Sequence, residues 1–237
     1  GTGGFTKVTS AASEAGYSMR IAWGDYDNDG FMDLFVTNFR FDGTPTRNFL
    51  FRNGGDGSFT KVSSGDIATT MGQFIGCAWG DYDNDGWLDL FVADMGPGKN
   101  LLYRNLGNGS FERIANGEIA NDLGAASGCA WGDYNNDGFL DLIVNNRFFS
   151  SAADDSHVVY RNNGNANHWI KLRCVGTVSN RSAVGARIHV EATINGVLRR
   201  QIREVGQEGS ASFVAGDVVV GLGDATSIKS LRIVWPS

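Results

Sequence analysis

Apolar residues in this chain come in short bursts bounded by glycine, aspartate and asparagine. The stretches Met32 to Val36 and Leu88 to Val92 are of strand length and rich in β-branched and aromatic side chains, and the turns between such runs are Gly-Asp-Gly or Gly-Asn-Gly. No 3.6-residue period of the kind a helical solenoid needs is present. The pattern predicts roughly four strands per unit: around a tryptophan, after an acidic loop, at Phe49-Leu-Phe51 and at Phe59-Thr-Lys-Val62. Further along, alternation predicts strands at Ile170 to Val175, Ala186 to Ile194, Leu198 to Val205, Val218 to Leu222 and Leu231 to Trp235.

The early bursts repeat. Ile21-Ala-Trp23 through Val36, Cys77-Ala-Trp79 through Val92 and Cys129-Ala-Trp131 through Val144 align without a gap, with tryptophans 56 and then 52 residues apart. A second block follows: Asn48 to Asn53 with Gly57 to Val62, then Asn100 to Asn105 with Gly109 to Ile114. The third copy begins at Val158-Val-Tyr-Arg-Asn162 and runs into His168-Trp169. Four strands in a unit of about 50 residues make a propeller blade. The expected fold is all-β: at least three blades forming part of a propeller, followed by a small β-sandwich packed on the last blade. The expected division is 1–165 for the repeats, with blades at about 17–63, 73–115 and 125–165, and 166–237 for the β domain. Gly4-Phe5-Thr-Lys-Val8 matches the end of a repeat, so a strand at 4–9 from a preceding blade is expected, and the chain is expected to start inside a unit.

Composition narrows the function classes. The net charge of −6 comes without any cluster of Lys or Arg interleaved with aromatics, so nucleic acid is not an expected partner. No apolar run approaches the roughly 18 residues that span a bilayer, and membrane insertion is not expected. Cys77 and Cys129 occupy the position of Ile21 in the first repeat; these two and Cys174 are expected to be buried thiols. Trp23, Trp79 and Trp131 are expected to wedge between blades. The pairs Arg52-Asn53, Arg104-Asn105 and Arg161-Asn162, which sit before turns, are expected to hydrogen-bond to backbone.

The acidic loop carries the chemistry. Calcium takes six to eight hard oxygens, and a chain supplies them by wrapping alternate residues around the ion with glycine at the sharp bend. Asp25, Asp27 and Asp29 stand at positions 1, 3 and 5 of the first loop, Gly30 at 6, the Phe31 carbonyl at 7 and Asp33 at 9. The second loop offers Asp81, Asp83, Asp85, the Trp87 carbonyl and Asp89. The third offers Asp133, Asn135, Asp137, the Phe139 carbonyl and Asp141, one charge fewer, and is expected to bind more weakly. Position 12, where an EF-hand has its bidentate Glu, is Val36, Val92 and Val144, so the loop belongs in a β-hairpin and a structural ion is expected rather than a sensor. The loops hold eleven of the 26 acidic residues, and about three calcium ions would neutralise the formal charge of −6.

At these residues the chain resembles the FG-GAP or VCBS repeat family, whose calcium-loop blades also build integrin α-subunit propellers. The resemblance covers about 1–165 and implies calcium at the loop positions named above. Such propellers close with about seven blades, so closure by three is not expected. Asn167-His168-Trp169, Ser179-Asn180-Arg181 with Gly185-Ala-Arg187, and Gly221-Leu-Gly223 resemble the ASPIC/UnbV domain, which follows VCBS-type repeats in the cartilage acidic protein family. The stretch Gln207 to Phe213 departs from that pattern, so no ligand role is carried over to it.

An enzyme is not expected. His157, His168 and His189 are joined by no motif, and the carboxylates are committed to the loops. The leading expectation is a non-catalytic, calcium-stabilised module for adhesion or interaction, secreted or at the cell surface, where millimolar calcium fills modest sites. Its expected partners are protein or glycan at the cell surface, or a second copy of itself. The alternatives are a carbohydrate-binding lectin and a self-assembling structural subunit with exposed sheet edges. Asn108 and Asn180 head glycosylation sequons.

Overall fold

A computed structural model describes residues 4, 16–122, 125–146, 157–206 and 217–236. The apolar bursts become strands: the stretch Asp89–Asp94 is buried on both faces, whereas Ser18–Gly24 buries only Ala22 and Gly24. The first unit holds β1 (Ser18–Gly24), β2 (Asp33–Asn38), the two-residue β3 (Thr46–Arg47), β4 (Phe49–Asn53) and β5 (Phe59–Lys61). Its antiparallel sheet runs β1-β2-β4-β5. After a single helical turn, α1 (Asp66–Thr69), come β6 (Met71–Gly72), which pairs with β3, then β7 (Phe74–Gly80), β8 (Asp89–Asp94), β9 (Leu101–Asn105) and β10 (Phe111–Ile114). The last four strands form the second sheet in the same order. The third sheet, after the helical turn α2 (Glu118–Asn121), is β11 (Ala126–Gly132), β12 (Asp141–Asn146) and β13 (Val158–Tyr160). The two helical turns were not legible as such in the sequence. The strand expected at 4–9 lies outside the described residues.

Register is repeated as closely as sequence. Trp23 faces Leu34, Trp79 faces Leu90 and Trp131 faces Leu142; one step on, Gly24 faces Asp33, Gly80 faces Asp89 and Gly132 faces Asp141. The acidic loop is therefore the closing loop of the first hairpin in every blade.

Blades stack through the tryptophans. Trp79 of the second blade lies parallel to Tyr26 of the first at 6.1 Å and edge-on to Phe35, while Trp131 of the third repeats this on Tyr82 and Phe91 of the second. Their indole N–H groups donate to the carbonyls of Ala22 and Ala78. This contact explains the glycine after each tryptophan. A Cβ on Gly24 would sit 2.8 Å from Trp79, and one on Gly80 would sit 2.7 Å from Trp131, whereas around Gly132 there is open space. Trp23, with no described blade before it, is 41% exposed, against 9% for Trp131. Cys77, Cys129 and Cys174 are reduced and buried.

The C-terminal region is a two-sheet sandwich. Its strands are β14 (His168–Leu172), β15 (Arg187–Ile194), β16 (Val197–Glu204), β17 (Val218–Gly223) and β18 (Ile228–Val234). One sheet pairs β14 with β17 and the other runs β16-β15-β18. Ile188, Val190, Ala192 and Ile194, alternate residues of β15, fill the core with Val220 and Leu222 of the opposite sheet. The β15–β16 hairpin turns on Asn195-Gly196, both at positive φ, as a tight hairpin turn requires.

The sandwich does not sit on the last blade alone, as the sequence had suggested. It covers the acidic-loop ends of all three. The bend glycine of each loop faces a C-terminal side chain: Gly30 faces Ile202, Gly86 faces Ile194 and Gln201, and Gly138 faces the ring of Trp169. Gly223 N–H donates to the Asn84 carbonyl at 2.8 Å.

Candidate functional site

Each loop is shaped by its own first and ninth residues. Asp25 accepts from the N–H groups of Asp29 and Gly30, both at 3.0 Å, and Asp81 accepts likewise from Asp85 and Gly86. Asp133 does the same with Asp137 and Gly138. At position 9, Asp33, Asp89 and Asp141 each accept from a tyrosine N–H in the loop and from the N–H of Asn53, Asn105 or Asn162 at 2.8 Å. The fourth residue, Asn28, Asn84 or Asn136, takes a left-handed conformation that asparagine tolerates, and the glycine at position 6 does too. These bonds curl nine residues so that carboxylates converge.

In two loops three of the four carboxylates converge, those at positions 1, 3 and 5 in the first and at 1, 3 and 9 in the second. Carboxylate oxygens of Asp25, Asp27 and Asp29 lie within 4.8 Å of one another, as do those of Asp81, Asp83 and Asp89. Among the described residues the third loop forms no such set. Of the residues at position 7, Phe31, Trp87 and Phe139 donate their N–H to Asp29, Asp85 and Asp137, and their rings pack on Gly55, Gly107 and Gly164 of the following turn. The donor set is all hard oxygen with no histidine or thiolate, which fits calcium and not a softer metal.

Crowding and burial make the anionic form costly without a counter-ion. Burial pushes the Asp25 carboxyl up to about 7, with Asp29 and Asp27 adding to it. Burial likewise raises Asp33 and Asp81 to about 8, and Asp85 to about 6. Asp89 rises well above the usual carboxylate range, from burial first and then from Asp81 and Asp83.

Three kinds of cation answer this charge, and the sequence pointed to none of them. Arg52, expected to bond to backbone, instead pairs with Asp27 and, at 2.8 Å, with Asp29; Arg104 pairs with Asp83 at 2.7 Å and Asp85 at 3.4 Å. Recurrence of an arginine at one repeat position was the available signal. The asparagine next to it behaves as expected: Asn105 donates to the carbonyls of Leu88 and Tyr26, and Asn162 to those of Leu140 and Tyr82. From the C-terminal region, part-buried Arg203 approaches Asp81 to 3.8 Å, and Lys171 reaches Asp133 at 2.8 Å. Those two residues lie far along the chain from the loops, and nothing local marks them. A cavity of about 120 Å³ lined by Trp23, Asp25, Trp79, Asp81, Trp131 and Arg203 separates the blade ends from the sandwich.

Antiparallel blades, each with an acidic loop closing its first hairpin, and a β-sandwich over the loop ends define a β-repeat protein with acidic loops. Residues 39–92 and 81–144 match the FG-GAP-like repeat family, and 176–237 match the ASPIC and UnbV family, so the chain carries FG-GAP-like repeats followed by an ASPIC/UnbV domain. It is similar to cartilage acidic protein 1 of Xenopus tropicalis, 28% identical over 230 residues, which is 91% of this chain and 33% of that protein. Cartilage acidic protein 1 of Mus musculus is 27% identical over 160 residues, 64% of this chain and 24% of the relative. The chain thus spans about a third or less of these curated relatives. Among the described residues no helix is long and apolar enough to cross a membrane.

Proposed function

We propose that this chain is a non-catalytic, calcium-stabilised interaction module of the cell exterior. The observation that carries the reading is the pair of carboxylate sets, Asp25/Asp27/Asp29 and Asp81/Asp83/Asp89, at the same place in successive blades and beneath the same capping domain. Asp33, Asp85 and the carbonyls of Phe31 and Trp87 complete the proposed shells. An ion in each loop would replace partial protonation as the means of relieving the crowded carboxylates. The stability gained would be shared with the sandwich seated on the loops. Loops of this kind, with no helix pair to open, suit a permanently filled site, and millimolar calcium outside cells fills even weak ones. Similarity to cartilage acidic protein 1 supports an extracellular-matrix setting, with protein or glycan at the cell surface as partner. Thermal melting with calcium and with EGTA tests the reading: a large fall in Tm on chelation is expected, and an unchanged Tm would sink it.

A second reading, self-association, is favoured by one observation. The face of the third blade that corresponds to the tryptophan seats of the first two leaves Tyr134, Ile143 and Val159 exposed, and Trp23 stands exposed on the first blade. A second copy could set its Trp23 there. Sedimentation at high protein concentration decides, since a strict monomer excludes it.

A further inference from the structure

The three loops share a sequence pattern but meet different cations. We propose that the third loop is held by the ammonium of Lys171 in place of calcium, so that this chain takes two ions and fastens its C-terminal domain to the loop that takes none. The proposal rests on the calcium reading of the first two loops.

The argument begins at position 3. Where the first two loops have Asp27 and Asp83, the third has Asn135, and its amide donates to Asp137 Oδ2 at 2.7 Å. The other oxygen of Asp137 accepts from Phe139 N–H at 2.9 Å. Asp29 and Asp85, at the same position as Asp137, instead turn an oxygen toward an arginine. Arg161, the third repeat's counterpart of Arg52 and Arg104, reaches Asn163. The Asp137 carboxylate is thus satisfied from within its own loop by neutral donors.

Position 1 differs in the complementary way. Asp25 accepts two backbone donors on its two oxygens. Asp133 accepts the same two and also Lys171 Nζ at 2.8 Å. The ammonium has a second contact, Asn136 Oδ1 at 2.7 Å. In the first two loops the matching asparagines, Asn28 and Asn84, use their amides to reach the glycine carbonyl of the next loop, Gly86 and Gly138. Lys171 therefore stands where each preceding loop meets its successor. Its side chain is only 21% exposed and that of Asp133 2%, so the charge is fixed and poorly screened. A dication entering this loop would find three carboxylates instead of four, with the position-1 carboxylate in direct contact with an ammonium. In the first two loops the arginines stand on positions 3 and 5 with side chains 51% and 41% exposed, free to swing to solvent, and Arg203 stays 3.8 Å from Asp81. Trp169, two residues before Lys171 on the same strand, packs over Gly138 of the same loop and holds the lysine in place.

Ion counting on the whole chain tests this. Native mass spectrometry after dialysis against about 1 mM calcium should find two ions bound. Three would overturn the proposal while leaving the calcium reading intact, and none would overturn the calcium reading itself. In the double variant N135D/K171M, which restores four carboxylates and removes the ammonium, the count should rise to three. A double variant that melts cooperatively and still binds two would show that Asn135 and Lys171 are not what excludes the third ion, and the proposal would fall.

Discussion

The side-chain amide of Asn105 donates to the backbone carbonyl of Tyr26 at 2.7 Å, across 79 positions of sequence. The third strand of the second blade thereby holds the acidic loop of the first. Loop geometry in one blade depends on the presence of its neighbour.

That bond has a measurable weight. The amide also donates to the Leu88 carbonyl at 3.1 Å, so Asn105→Ala strands two carbonyls in a buried site. A loss of about 1–3 kcal/mol is expected in urea unfolding, together with weaker calcium binding in the first loop, whose Tyr26 carbonyl loses its donor from the neighbouring blade. Unchanged affinity there would separate the blades energetically.

The glycines after the tryptophans give a paired comparison. Gly80→Ala places a methyl 2.7 Å from Trp131 and should destabilise by about 1–3 kcal/mol, as overpacking does. Gly132→Ala enters open space and should fall within about 0.5 kcal/mol of wild type. Equal effects would mean that strand propensity, and not the blade contact, sets the requirement.

Docking of the sandwich hinges on Gly221. A Cβ there would lie 2.5 Å from Asn84 Cα, and backbone cannot step aside as a side-chain tip can. Gly221→Ala should therefore raise hydrogen exchange at the interface, including the Gly223 N–H that donates to Asn84, while the sandwich keeps its own core. Protection at Gly223 equal to wild type would contradict the packing described.

Calcium and protons should compete. In the calcium-free protein Asp25 is raised to about 7, and Asp33 and Asp81 to about 8, from 3.8. The folded state then holds protons more tightly than the unfolded chain, so this contribution is full below the unfolded value and is lost as pH rises through the folded values. Without calcium, Tm should fall between about pH 5 and about pH 8. With calcium the carboxylates are held ionised by the metal, and the fall should shrink. The gain in Tm on adding calcium therefore widens with pH; a gain largest at pH 5 would contradict the burial of these groups.

Much of this was legible in the sequence because it is local. Tryptophan, loop and following strand lie within sixteen residues, and a hairpin closed by its own loop needs no distant partner to declare itself. The Trp79 and Trp131 wedges could be anticipated for the same reason: each aromatic recurs at one point of a repeat. What stayed hidden is what the third dimension adds. Arg52 was read from the turn it precedes, yet its guanidinium lies across the sheet on Asp27 and Asp29. Lys171 and Arg203 belong to a region without repeat symmetry, and neither its placement over the loop ends nor their ion pairs leave a periodic trace. The inequality of the third loop was half visible in Asn135; the other half required knowing where β14 goes.

A joint made of a tryptophan on one side and a glycine-floored seat on the other has a direction. Two blade arrays can meet head to tail through it, but not face to face, and each addition regenerates the same seat at the far side. Nothing in such a joint counts. The number of blades in any assembly built this way has to be set by the angle between neighbours, which brings the first tryptophan round to the last seat, or by a cap that fills it.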